Sequence, residues 1–131
     1  VNEAMSSGCA VVASHAAGSV PYLLRHKRNG LVYKAGDAND LYRKVIRLLN
    51  HPELQYIYGI KAYRTMADIW SPEVAARRLV EISRNLICEN HICYRYGPCS
   101  KAYIIKEDWY PVKFRREAIR YSVFKSSGTS G

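Results

Sequence analysis

Three cysteines and a histidine lie close together in "CENHICYRYGPC", residues 88–99. Thiolates and imidazoles are the ligands zinc takes in a four-coordinate tetrahedral site. Cys88, His91, Cys93 and Cys99 supply that number. No CxxC pair accompanies them, however, and the cysteines are separated by four and five intervening residues, so a ligand geometry is not signalled. Reduced structural thiols are the expected state, with zinc as the alternative. A disulfide framework is not expected, because the rest of the chain has the apolar content to build its own core. The next candidate is Glu3 in "VNEAMSSG". A lone carboxylate near a helix start ordinarily caps the helix or faces solvent, and on its own it implies no reaction. His15 and Gly18 follow a short apolar run, a position where α/β proteins place ligands.

These residues need elements to hold them. Asn2 to Ser7 read as one or two helical turns, ended by Gly8 in the left-handed conformation that a residue without Cβ takes cheaply. Cys9 to Ala13 are continuous and apolar, which predicts a strand over residues 9–14 that is buried on both faces, with Cys9 as a small apolar residue inside it. Pro21 leads into a short helix near Tyr22 to Arg25. "HKRNG" is a turn, because Asn29-Gly30 tolerate positive φ. Leu31 to Tyr33 is a second short strand. Three helices follow, over 38–50, 53–69 and 72–87. Asp37 caps the first, whose stripe is Leu41, Val45 and Leu48; Pro52 opens the second, whose face is Leu54, Tyr58, Ala62, Thr65 and Ile69. Ser71-Pro72-Glu73 starts the third, with Ala75, Leu79, Ile82 and Leu86 as its expected core stripe. The order predicts an α/β fold with parallel strands. Two regions are expected: a folded 1–87, and an 88–131 extension that is irregular and then a basic, disordered tail.

The 131 residues suit one modest domain. No apolar run reaches the roughly 18 residues a membrane span needs. The formal charge is +9, with 12 basic against 7 acidic residues up to Ile87 and 8 against 4 beyond it. Such a surface favours anionic partners: nucleotide diphosphates, anionic lipid headgroups or nucleic acid. RNP, zinc-finger and helix-turn-helix signatures are missing, so nucleic acid is not expected.

"NEAMSSGCAVVAS", "GSVPYLL", "RNGLVYKAGDANDLYRKVIRLLNHPEL" and "GIKAYRTMADIWSPEVAARRL", in this order, resemble the C-terminal half-domain of retaining GT-B glycosyltransferases of family 4. "GPCSKAYIIKEDWY" resembles an extension in some bacterial polysaccharide-synthesis members. The resemblance implies a partial Rossmann-like domain and a chain that begins midway through the nucleotide-sugar-binding unit. It implies transfer of a sugar from a nucleotide-sugar donor to a glycan or lipid-linked acceptor, in cell-surface polysaccharide synthesis and without a bound metal or other cofactor. Glu3 matches the second glutamate of the family's E-x7-E pair, whose carboxylate accepts hydrogen bonds from the donor ribose. The first would fall eight positions earlier, ahead of Val1, so the piece alone is expected to be inactive and no catalytic residue is assigned within it. Tyr22 stands where many members carry Glu and Ser19 reads as inserted; His15, Gly18 and Tyr22 are not expected to touch the donor. Trp70 is expected to pack between helices. The implied setting is cytoplasmic, with the basic tail reaching the inner face of the membrane. The rival reading is a non-catalytic basic module that binds anionic membrane or nucleic acid.

Overall fold

The computed structural model describes residues 1–101 and 105. The expected tail, 112–131, lies outside the described residues. The element order is α1 (Asn2–Ser6), β1 (Val12–Ser14), α2 (Val20–Leu23), β2 (Leu31–Tyr33), α3 (Ala38–Leu49), α4 (Pro52–Ile69) and α5 (Pro72–Ile87). β1 and β2 pair in parallel, with Val12 opposite Leu31 and Ser14 opposite Tyr33. This is the α/β arrangement with parallel strands that the sequence predicts.

The end of α1 is set by Gly8, at φ +73°. The Cys9 amide donates to the Ala4 carbonyl (2.9 Å) and the Gly8 amide to the Met5 carbonyl (3.0 Å). This is the Schellman arrangement, and it satisfies carbonyls that the helix end would otherwise leave unpaired. The turn uses residues 7–9, so the strand begins later than its apolar run. Cys9 is exposed, not buried in a strand.

The two faces of the strand pair pack into separate clusters, with α4 contributing to both. Val11, Ala13 and Val32 join Met5 of α1, Val20 and Leu23 of α2, Leu24 just after it, and Ala62 of α4. Val12 packs on the other side, where Leu31 meets Leu48 of α3 and Tyr58 of α4. Val12 is only half-buried, against the expectation that it would be buried like Val11. Met5, Val20, Leu24, Leu31 and Val32 are at most 1% exposed. Each such side chain contributes about 1.5–3 kcal/mol by leaving water.

Several local expectations are corrected. The short helix is Val20–Leu23, two residues earlier than Tyr22 to Arg25, because Pro21 sits at its start. "HKRNG" is a turn, as expected, and the residue in it at positive φ is Lys27 (φ 63°). Asn29 is 4% exposed. Its Oδ1 accepts from the Arg25 amide (2.7 Å), and its Nδ2 donates to the Leu23 carbonyl (2.9 Å) and Thr65 Oγ1 (3.0 Å). Gly30 is needed for space: a Cβ there would meet the Leu24 side chain and lie 2.8 Å from the Val11 carbonyl oxygen.

In α3, Leu48 is buried and Leu41 half-buried, but Val45 is 36% exposed. Asp37 caps the helix through the Asp40 amide (2.8 Å). Asp40 itself is buried, accepting from the Lys34 amide and from Lys44 Nζ at 2.7 Å. In α5 no residue is buried, and Leu79 and Leu86 are about 60% exposed, so its stripe is not core. Periodicity shows that a face is apolar, not that something covers it. What holds α5 is polar and aromatic. Arg78 Nη1 donates to the Tyr96 and Pro98 carbonyls (2.7 and 3.0 Å), and its guanidinium lies 4.4 Å from the centre of the Tyr94 ring. Tyr96 meets Trp70 edge-on at 5.9 Å and donates its hydroxyl to the Tyr22 carbonyl (2.5 Å). Trp70 packs between elements, as expected.

His26 joins the turn to β2. Its Nδ1 accepts from the Val32 amide at 2.9 Å, so a proton there would break the bond. Burial pushes the His26 pKa down from 6.5 to about 4, and the nearby Lys44 and Lys27 charges act in the same direction.

Two outcomes are expected. A Cβ at Gly59 would collide with the Gly8 carbonyl oxygen. Gly59→Ala should therefore destabilise the chain by about 1–3 kcal/mol in urea unfolding, although alanine favours a helix interior by about 1 kcal/mol over glycine. A midpoint equal to or above that of the parent would remove the close approach from the account. For His26, the unfolded chain takes up a proton near pH 6.5 and the native one only near pH 4. Its share of the stability is thus complete above pH 6.5 and lost as pH falls toward 4. His26→Asn keeps an acceptor but cannot titrate, and should flatten the fall in urea midpoint across that window.

Candidate functional site

The carboxy-terminal edge of the strand pair is where the sequence places its candidate residues. Two loops leave it, residues 15–19 after β1 and residues 34–37 after β2. They are tied together. The His15 amide donates to the Tyr33 carbonyl (2.9 Å), extending the ladder by one bond. The Ala35 amide donates to His15 Nδ1 (3.0 Å), so that nitrogen is an acceptor and is committed to the neighbouring loop. The Ala16 amide donates to Ser14 Oγ (3.2 Å), and the Ala17 amide to the Ser14 carbonyl (3.1 Å). Lys34 is held by its amide bond to Asp40 Oδ2 (2.9 Å), and Asp40 is itself neutralised by Lys44. A buried carboxylate with an amide and an ammonium as partners avoids the desolvation cost of an unpaired charge.

Gly18 lies in the first loop, and a Cβ there would meet nothing within 4 Å. The fold itself does not demand glycine at this position.

Glu3 is in the first turn of α1 and exposed. Met5, two residues on, is fully buried in the core, which turns the Glu3 side of the short helix outward. Gly8 reverses the chain between α1 and β1. The Glu3 carboxylate has no hydrogen bond or ion pair among the described residues, and both its oxygens are open to a ligand.

The four cysteines are free and exposed. Among the described residues no three His, Cys, Asp or Glu side chains converge as a metal site would require. Cys93 Sγ lies 3.8 Å from the Tyr94 carbonyl, and Cys99 adopts φ 60° in the turn after Pro98. Two displaced titrations lie on or beside α5, away from this edge. The Glu73 carboxyl is lowered by its own backbone amide and the Ser71 hydroxyl, and the Tyr94 hydroxyl is raised by its bond to Glu81.

Sequence reasoning missed Asp40, Asn29, His26 and Tyr96 as structural pins. Asp40 had a signal: an acid four residues before a lysine in a capped first turn is poised to pair with it. Asn29 had none, because "RNG" reads as an ordinary turn.

No helix among the described residues is long and apolar enough to cross a membrane. A search of curated proteins finds no match to the chain. Residues 1–51 match the family model described as glycosyl transferases group 1. The matched stretch runs from α1 to the end of α3 and contains Glu3, both strands and both loops of the edge. It covers 51 of the 131 residues, and over them it supports a glycosyl transferase relationship of the GT-B kind.

Proposed function

We propose that this chain forms part of the donor-binding domain of a retaining GT-B glycosyltransferase of family 4, with Glu3 as the acceptor of hydrogen bonds from the donor ribose. The observation that carries this reading is the unpartnered Glu3 carboxylate within the stretch that matches the glycosyl transferase model. A carboxylate offers two acceptor oxygens to a vicinal diol, and bonds to an ionised acceptor are stronger than neutral ones. Holding the ribose fixes the diphosphate and, through it, the anomeric carbon, which is a positioning contribution to the transition state. The diphosphate leaving group would be met by amides and basic side chains rather than a resident metal. The donor is a nucleotide sugar and the transferred group a hexose. The acceptor is a glycan or lipid-linked saccharide of cell-surface polysaccharide synthesis, handled on the cytoplasmic side and at the membrane surface. The division into a folded unit, 1–87, and an extension, 88–131, is part of the same proposal.

The test is donor kinetics on the full gene product. Glu3→Gln keeps one acceptor oxygen and loses the charge. It should cost about 1.5–3 kcal/mol, roughly ten- to a hundredfold in kcat/KM for the donor. Glu3→Ala should cost as much or more, and the Michaelis constant for the acceptor should hardly move. Normal turnover by Glu3→Ala with an unchanged donor Michaelis constant would reduce Glu3 to a surface helix residue.

A further inference from the structure

The opposite, amino-terminal edge of the strand pair carries a concentration of positive charge that ribose recognition does not use. Where residues 25–30 run into β2 they lie against the middle of α4, and the two enclose a groove of about 270 Å³. Arg25 and Arg28 line it from the loop, and Lys61, Arg64 and Asp68 from the helix. The spacing of the last three, at i, i+3 and i+7, keeps them on one side of α4. Four cations therefore share the groove with one carboxylate.

The crowding is built into the backbone. The buried Asn29 side chain binds the Arg25 amide on its own loop, the Leu23 carbonyl at the end of α2 and Thr65 Oγ1 on α4, which fixes the loop against the helix. The Arg28 amide donates to the Arg25 carbonyl (2.9 Å), so the two arginines belong to a single tight turn. The Arg25 guanidinium is stacked 4.7 Å from the centre of the Tyr96 ring, which orders it before any ligand arrives. Arg28, Lys61 and Arg64 make no ion pair among the described residues, although Asp68 stands one helical turn from Arg64. Like charges held together without counter-charges repel, and a bound anion relieves that repulsion.

We propose that this groove is a phosphate-binding site that takes a phosphomonoester or pyrophosphate group. Guanidinium forks match the oxygens of a tetrahedral phosphate in pairs, and an ammonium adds a point charge. Tyr96 and Ile69 supply a less polar wall, which strengthens the attraction. The same group could be offered by a soluble phosphorylated ligand or by a lipid headgroup.

The test uses the whole 131-residue chain, labelled with nitrogen-15, at low ionic strength. Inorganic pyrophosphate should shift the amides of Arg28, Asn29 and residues 61–65 in a saturable manner. The double variant Arg28→Gln/Lys61→Gln removes two exposed charges without touching the core and should bind roughly tenfold more weakly or worse. Its thermal midpoint should match the parent. Arg77→Gln, on the exposed face of α5, should leave binding unchanged. Sedimentation with phosphatidic acid vesicles, against phosphatidylcholine alone, identifies the source. Vesicle binding that the double variant loses supports a lipid headgroup, and pyrophosphate binding without vesicle binding supports a soluble ligand. No saturable response to either probe, or equal affinity of parent and double variant, overturns the proposal.

Discussion

The backbone of α4 rests at Gly59 on the carbonyl of Gly8, with no side chain between them. Much of the structure hangs on that contact. Gly8 is itself the left-handed residue that ends α1, so the turn that reverses the chain is also the surface on which the longest helix lies. Three residues along α4, Ala62 is fully buried beside Met5, and a further turn on, Thr65 receives the Asn29 amide. One helix thus sets the height of α1 above the strands and the position of the loop that feeds β2. Small residues at 59 and 62 permit the approach, and burial of Met5 and its neighbours stabilises it.

Features governed by a single residue's conformation or capping chemistry were legible in the sequence. Gly8, the Asp37 cap, the Ser71-Pro72 start and the strand at Leu31 to Tyr33 each follow from local rules, and each is present. Features that depend on what lies across the fold were not. Cys9 reads as strand because it is apolar, yet the turn before it consumes the residues that would have paired. Lys27 takes the positive φ in the turn, and the Asn29 side chain is buried, where three partners at different sequence distances satisfy it. Leu79 and Leu86 have the spacing of a core stripe but are exposed, while the clasp of 94–98 meets α5 through Arg78 and Glu81.

The candidate site divides in the same way. Nothing about Glu3 as a residue announces a role, since a glutamate in a first helical turn is commonplace. Its significance comes from the run of residues around it, and its geometry comes from Met5, which anchors the short helix with Glu3 outward. The loops at the carboxy-terminal edge are drawn together by His15, which accepts from the Ala35 amide, a pairing that a sequence spacing of 20 residues could not foretell. The two edges of the strand pair therefore differ in kind. One is laced by hydrogen bonds between its loops, and the other gathers unneutralised cations.

β1 and β2 are three residues each and have no other strand beside them among the described residues. Each outer edge is then a template only about 10 Å long. Amyloid-like addition needs a run of six or seven residues in register, and very short edges are one of the ways natural sheets avoid recruiting foreign chains. The helices packed on both faces, rather than the ladder, keep the strands in place, so the brevity that makes this sheet weak on its own also makes it a poor seed for fibrils.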